Sequence, residues 1–474
     1  MKTRNLLYIL PLVALTACEP DIDDMELSKG SADFSKMVAV GNSLTAGYQS
    51  GALSADGQIN SLPAMVAGQM TQVGGGEFTQ PLLTGELGSK GAGFSIALAA
   101  VGQVETRLAL KGTVDCLGAV SVGPVRKGDS YLGLGDLIAD VSSQTYNNQG
   151  VPGAKLTDLS DPTYANPYFA RMRTPGQTML TLATSMNATF FSLWIGNNDV
   201  LGYATSGGDD GPTGPNGLTD AGTFKTQYDA AVAALTANGA KGVVANIPDV
   251  TSIPFFTTVP ASLSISQGQA DALTAAYGQY NGGLDAVVSQ NAAFGPEADA
   301  RRISFTAGVN TFVVIDPSLT DLSGSGLPSI RQIKSGELLT LTTPGDSIKC
   351  AGWGTAKPIP GAYHLTTAEI LKIRNATVSY NNTIKTAAQA NGLAHVDANA
   401  RLNELAEPGG IVVDGIAFSS ALISGGAFSL DGVHPATRGY AIIANDFISA
   451  INSTYGANVP KVNVGSYNTF EVEQ

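Results

Sequence analysis

The sequence predicts an α/β fold, a parallel sheet covered on both faces by helices. Short apolar runs of strand length stop at Gly or Pro, segments with a helical apolar period lie between them, and the two kinds alternate along the chain. The first run, Met37 to Val40, ends at Gly41. The second, Phe190 to Ile195, ends at Gly196, and the third, Gly242 to Ile247, ends at Pro248. Each is too short for a stable helix and closes on a residue that turns the chain.

Between the second and third runs, Phe224, Tyr228, Val232 and Leu235 recur at helical spacing, and Asn238 and Gly239 close the pattern. A further helix starts at about Thr366, where Thr366 and Glu369 form a capping-box pair, and it carries an apolar face of Ile370, Ile373 and Ile384. It stops near Asn391 and Gly392, and Leu393 to Val396 resumes a strand. The last helix carries Tyr440, Ile443, Phe447 and Ile451.

Two stretches interrupt the alternation, at about 50–140 and 250–360. Both are rich in Gly, Ser, Thr and Pro and read as insertions into one domain spanning 34–460. Residues 461–474 form a polar C-terminal tail expected to be loosely held.

The first residues carry an address. Lys2 and Arg4 precede the apolar LLYILPLVAL, and LTAC ends in Cys18, an arrangement that resembles a bacterial lipobox. The resemblance implies that residues 1–17 are a lipoprotein signal peptide and that Cys18 becomes the lipidated first residue of a protein in the bacterial cell envelope, at the outer membrane. Residues 18–33 are acidic and poor in apolar side chains, as a flexible tether would be. No later segment has the apolar length of a membrane helix, so attachment is expected through lipid alone.

Losing the two positive charges of Lys2 and Arg4 takes the formal charge from −13 to −15, which argues against nucleic acid as a partner. Two cysteines remain, Cys116 and Cys350. In an oxidising compartment they either form one disulfide across a very long loop, pinning the insertions, or stay as two buried thiols. Neither has metal-ligand spacing to another Cys or His, so no metal is expected.

The chemistry rests on scarce residues. Only three histidines occur, His364, His395 and His434, and the last lies three places after Asp431 in DGVHP. Near the other end the first apolar run opens into GNSLTAG, Gly41 to Gly47, with Ser43 where a strand turns into a helix. A serine hydroxyl becomes a nucleophile when an imidazole takes its proton, and the imidazole needs a carboxylate to set its tautomer. His364, before a helix cap, and His395, within a strand, read as structural. So does Trp194, which alternates within an apolar run, while Trp353 either packs a loop or lines a subsite.

With NQGVPGA at Asn148 to Ala154 and IGNNDV at Ile195 to Val200, these segments resemble the four ordered blocks of the SGNH, or GDSL, hydrolase family. The resemblance implies a three-layer flavodoxin-like fold and a serine esterase needing no cofactor. It places the nucleophile on Ser43, the orienting acid on Asp431 and the base on His434. The oxyanion donors fall on the Ser43 amide, on Gly153 (with Gly150 as the alternative) and on Asn198, with Asn197 at the variable position. One departure is Asn42 where the family has Asp before the nucleophile. Literal GDS triplets at Gly128–Ser130 and Gly345–Ser347 cap no apolar strand and are set aside.

Family members hydrolyse lipid acyl esters, carbohydrate O-acetyl groups and small esters. The Gly, Ser and Thr content of the insertions leans towards acetyl or short-acyl esters of glycans. The alternatives are a lipase or phospholipase type of acyl hydrolase, or a non-catalytic lipoprotein that binds a glycan or protein on the same fold.

Overall fold

A computed structural model describes residues 26–85, 88, 105–128, 139–209 and 216–470. The signal peptide, Cys18 and Asp129 and Ser130 of the first GDS triplet lie outside the described residues. Five parallel strands form the central sheet: β1 (Met37–Gly41), β2 (Asn148–Gly150), β3 (Phe190–Trp194), β4 (Lys241–Ala245) and β5 (Ala394–Val396). Their spatial order is β2-β1-β3-β4-β5, with Met37 opposite Phe190 and Phe190 opposite Lys241. This is the flavodoxin-like order, in which the chain reverses its direction of travel across the sheet between β1 and β3.

Side chains alternate across each strand, and that alternation builds the layers. Phe190 meets Tyr455 edge-on and Trp194 packs on Phe447, both from α8 (Thr437–Tyr455), which also packs on α2 (Leu62–Met70). The opposite layer holds α3 (Met179–Ser185), α5 (Ala221–Thr236) and α6 (Thr367–Ala390), with Phe224 of α5 stacked on Tyr380 of α6. Phe190 and Phe191 are both fully buried, and each contributes roughly 2 kcal/mol to docking one layer.

The expected helices stand where their caps place them. The Thr366 hydroxyl accepts the Glu369 N–H while Glu369 accepts the Thr366 N–H, closing the capping box at the head of α6. One strand had no sequence signal, since β2 is three residues, Asn-Gln-Gly, held by backbone pairing to β1.

The two long excursions leave the sheet after β1 and after β4. The first sends out an antiparallel hairpin, Leu108–Val114 with Val120–Arg126. The second encloses an apolar cluster of its own, including Leu284, Ile303, Val313 and Ile330. Beside that cluster, Arg331 is buried with Glu337 and Asp316, and Glu337 also meets His364 Nε2 at 3.0 Å. Cys116 and Cys350 are bonded, with Cα atoms 6.4 Å apart, so the hairpin tip is joined to the second excursion.

Within the described residues, both segments expected to be loosely held make fixed contacts with the fold. The Ser31 N–H bonds to the Tyr455 carbonyl at 2.9 Å and Ala32 is buried, so the end of the supposed tether lies on α8. At the other end Val462 and Val464 are buried, and Asn445 both donates to and accepts from the Val462 backbone. Polar composition concealed both dockings because backbone bonds and two valines carry them.

Candidate active site

β1 delivers the chain to Asn42, whose side chain accepts the Leu44 N–H at 3.0 Å and caps α1 (Ser43–Ala46). Ser43 is therefore the first helical residue, where a backbone N–H has no intrahelical acceptor and points out of the helix end. The Asn42 amide also donates to Asn197 Oδ1 at 3.1 Å in a buried contact. The residue that departs from the family pattern thus ties the turn after β1 to the turn after β3.

DGVHP approaches from the far end of the chain. Asp431 Oδ1 accepts the backbone N–H groups of Val433 and His434, both at 2.9 Å, so one carboxylate oxygen shapes its own turn. Oδ2 meets His434 Nδ1 at 2.9 Å and accepts the Gly51 N–H at 2.8 Å. His434 Nε2 lies 2.9 Å from Ser43 Oγ. The structure brings Ser43, His434 and Asp431 into one continuous relay.

Burial alone would raise the Asp431 carboxyl, but the charge of His434 and the hydrogen bonds from its ring, its N–H and that of Val433 hold it at about 2. Asp431 is thus an anion at neutral pH facing Nδ1, which favours the proton on Nδ1 and leaves Nε2 free to accept one from Ser43. Tyr48 packs against the imidazole with ring centres 4.6 Å apart.

The sequence Val-Pro-Gly-Ala at 151–154 forms a β-turn closed by the Ala154 N–H on the Val151 carbonyl at 3.1 Å. Gly153 has φ +85°, the left-handed third position of a type II turn, and Pro152 supplies the fixed φ of the second. Asn198, at the head of α4 (Asn198–Thr205), donates one amide hydrogen to the Ala154 carbonyl at 2.8 Å. That bond ties the two turns together and leaves Asn198 its second amide hydrogen. The alternative donor, Gly150, is committed elsewhere, since its N–H goes to Asn148 Oδ1 and a Cβ there would collide with the Ala46 backbone.

Asp199 anchors the same turn, accepting from the Leu156 N–H and the Thr219 hydroxyl, and its burial pushes the carboxyl up to about 6. A shallow polar hollow with Lys155 and Asp158 on its wall borders Gly153.

Ser43, Asn198 and His434 open onto a cleft walled almost wholly by hydrocarbon. Leu402 and Leu405 come from α7 (Ala398–Ala406), Ile442 and Ile443 from α8, Val250 from a single 3₁₀ turn after β4 and Phe428 from the loop before α8. Along both helices the lining residues recur at i, i+3 or i+4 and i+7, so the cleft runs between them for roughly 10 Å. The ion pair of Arg401 with Asp446 stands on the same walls.

The family described as GDSL-like Lipase/Acylhydrolase matches residues 37–447. The chain belongs to this family. No curated protein and no solved structure gave a match. Membership of the GDSL-like family supports ester hydrolysis in general.

The other singled-out residues lie apart from the relay. His364 is buried against Glu337 and His395 sits within β5. Trp194 is buried in the sheet and adds to the cleft wall, whereas Trp353 packs on Tyr363 in the second excursion. Gly345–Ser347 begins a five-residue helix there. The sequence does not mark the cleft wall, because Leu402, Leu405 and Ile443 have the spacing of any core-facing helix stripe.

Proposed function

We propose that the protein is a serine ester hydrolase acting through an acyl-enzyme on esters with an extended acyl chain. The observation that carries this is the Asp431–His434–Ser43 relay, with both contacts of the imidazole at 2.9 Å, opening onto the hydrocarbon cleft.

Ser43 Oγ attacks the ester carbonyl carbon as His434 Nε2 takes its proton, and Asp431 stabilises the imidazolium formed. The carbonyl oxygen, now an anion, faces the Ser43 and Gly153 amides and the free hydrogen of the Asn198 side chain. The C–O bond to the leaving alcohol breaks and the alcohol takes the proton from Nε2. Water then gives a proton to Nε2, attacks the acyl carbon, and releases the acid and Ser43.

The leaning towards acetyl or short-acyl glycan esters rested on the composition of the insertions. The cleft supports the lipid-type acyl hydrolase instead, because an acetyl group leaves Leu402, Leu405 and Ile442 without a partner, while each buried CH₂ of a longer chain gains about 0.8 kcal/mol. In the same reading Cys18 carries the lipid that holds the enzyme at the cell envelope.

Labelling with a fluorophosphonate probe tests the chemistry. The wild type is expected to react and Ser43→Ala to remain unlabelled, and equal labelling of the two defeats the proposal in favour of a binding protein on this fold. Incorporation of radiolabelled palmitate, lost in Cys18→Ser, tests the anchor.

A further inference from the structure

Asp431 is held by a hydroxyl from outside the Ser43–His434–Asp431 relay. Ser429 is buried, its Oγ donates to Asp431 Oδ1 at 3.1 Å and accepts the Ser50 N–H at 2.8 Å. The next N–H, that of Gly51, goes to Asp431 Oδ2. Ser50 and Gly51 both have positive φ, +52° and +72°, and their successive N–H groups reach the Ser429–Asp431 pair, Ser50 the hydroxyl and Gly51 the carboxylate. Ser50 is an L-residue in a conformation that favours glycine, so its surroundings must hold it there. They do: the Leu108 N–H bonds to the Ser50 carbonyl at 2.7 Å and the Arg126 guanidinium to the Gly51 carbonyl at 3.3 Å, both from the base of the disulfide-linked hairpin.

We propose that Ser429 is a positioning residue for the catalytic acid, fixing the plane of the Asp431 carboxylate and coupling it through Ser50 to the hairpin of the first excursion. The inference rests on the serine-hydrolase reading. Its physical basis is that a carboxylate sharing its charge with several donors is less basic and cannot rotate away from Nδ1. Among the described residues, the charged and titratable groups around the pair include Arg126 behind Gly51, with Glu105 paired to it, and Tyr48 and Tyr440, both kept neutral by burial.

The test compares wild type, Ser429→Ala and Ser429→Thr on a soluble ester, with kcat and KM resolved across pH. Ser429→Ala is expected to lower kcat roughly tenfold, the cost of one hydrogen bond to a charged group, with KM nearly unchanged. It is also expected to move the acid limb of kcat/KM to higher pH, because a more basic Asp431 stabilises the imidazolium. Ser429→Thr, which keeps the hydroxyl, restores both.

An unchanged kcat and acid limb in Ser429→Ala overturns the proposal, as does a rise in KM alone or a Thr variant that melts like wild type yet stays as slow as Ala. Fluorophosphonate labelling of the wild type, run alongside, separates this failure from failure of the serine-hydrolase reading.

Discussion

The Asn42 side-chain amide lies 3.1 Å from Asn197 Oδ1, joining the turn that carries Ser43 to the turn that carries Asn198. Aspartate in the same place could cap α1 equally well but has no hydrogen to give. Ser43 and Asn198 are thereby held at a fixed spacing across the point where the sheet order reverses.

Asn42→Ala removes both the cap and the cross-turn bond and is expected to cost about 2 kcal/mol in stability. Asn42→Asp keeps the cap and loses less, since the Asn197 amide can rotate to donate. Urea denaturation midpoints should rank wild type above Asp above Ala, and an Ala variant as stable as wild type would show the contact to be idle.

Replacing Asp431 by Asn keeps the size of the side chain but presents an N–H to Nδ1 and reverses the tautomer of His434. Turnover is expected to fall about 10⁴-fold, as for triads in general. Ester hydrolysis measured with folding checked by circular dichroism decides it. A loss below tenfold would remove Asp431 from the mechanism.

The cleft sets a preference by acyl length. On a series of p-nitrophenyl esters the wild type is expected to favour medium or long chains over acetate, and Leu402→Trp to depress the long-chain rate by roughly tenfold or more while sparing acetate. A wild type that prefers acetate throughout would restore the short-acyl reading.

Acid sensitivity has an identifiable source. Burial would raise the Glu337 carboxyl, but His364, Arg331 and the Lys334 N–H hold it at about 2, below its ordinary value in the unfolded chain. The stability it contributes is therefore present above about pH 4.5 and lost as pH falls towards 2. Asp431, held equally low, adds in the same direction. Asp199, raised to about 6, acts oppositely, its contribution being lost as pH rises through that value. Glu337→Gln should destabilise by roughly 3 kcal/mol at pH 7 and by far less below pH 3. A difference that does not narrow in acid would place the loss in packing.

What the sequence made legible follows from how each feature is encoded. β1, β3 and β4 are largely apolar runs because both faces of a central strand are buried. The caps at Thr366 and the turn at Val151–Ala154 are local and can be read residue by residue. Hidden features are those that depend on distant partners. The three polar residues of β2 become a strand through β1, and Ser429 matters only beside Ser50, 379 residues away. Arg331, Asp316 and Glu337 read as surface charges until the fold buries them together. Ile443 reads as core and instead faces the cleft.

The Cys116–Cys350 bond has a consequence for survival under proteolysis. Ser43 lies before the first cysteine and His434 after the second. A protease that cuts once anywhere between 116 and 350 leaves Ser43 and His434 in a single covalent molecule, with the severed second excursion still attached. Where peptidases are abundant, most of the chain between Ser43 and His434 can be nicked without parting them.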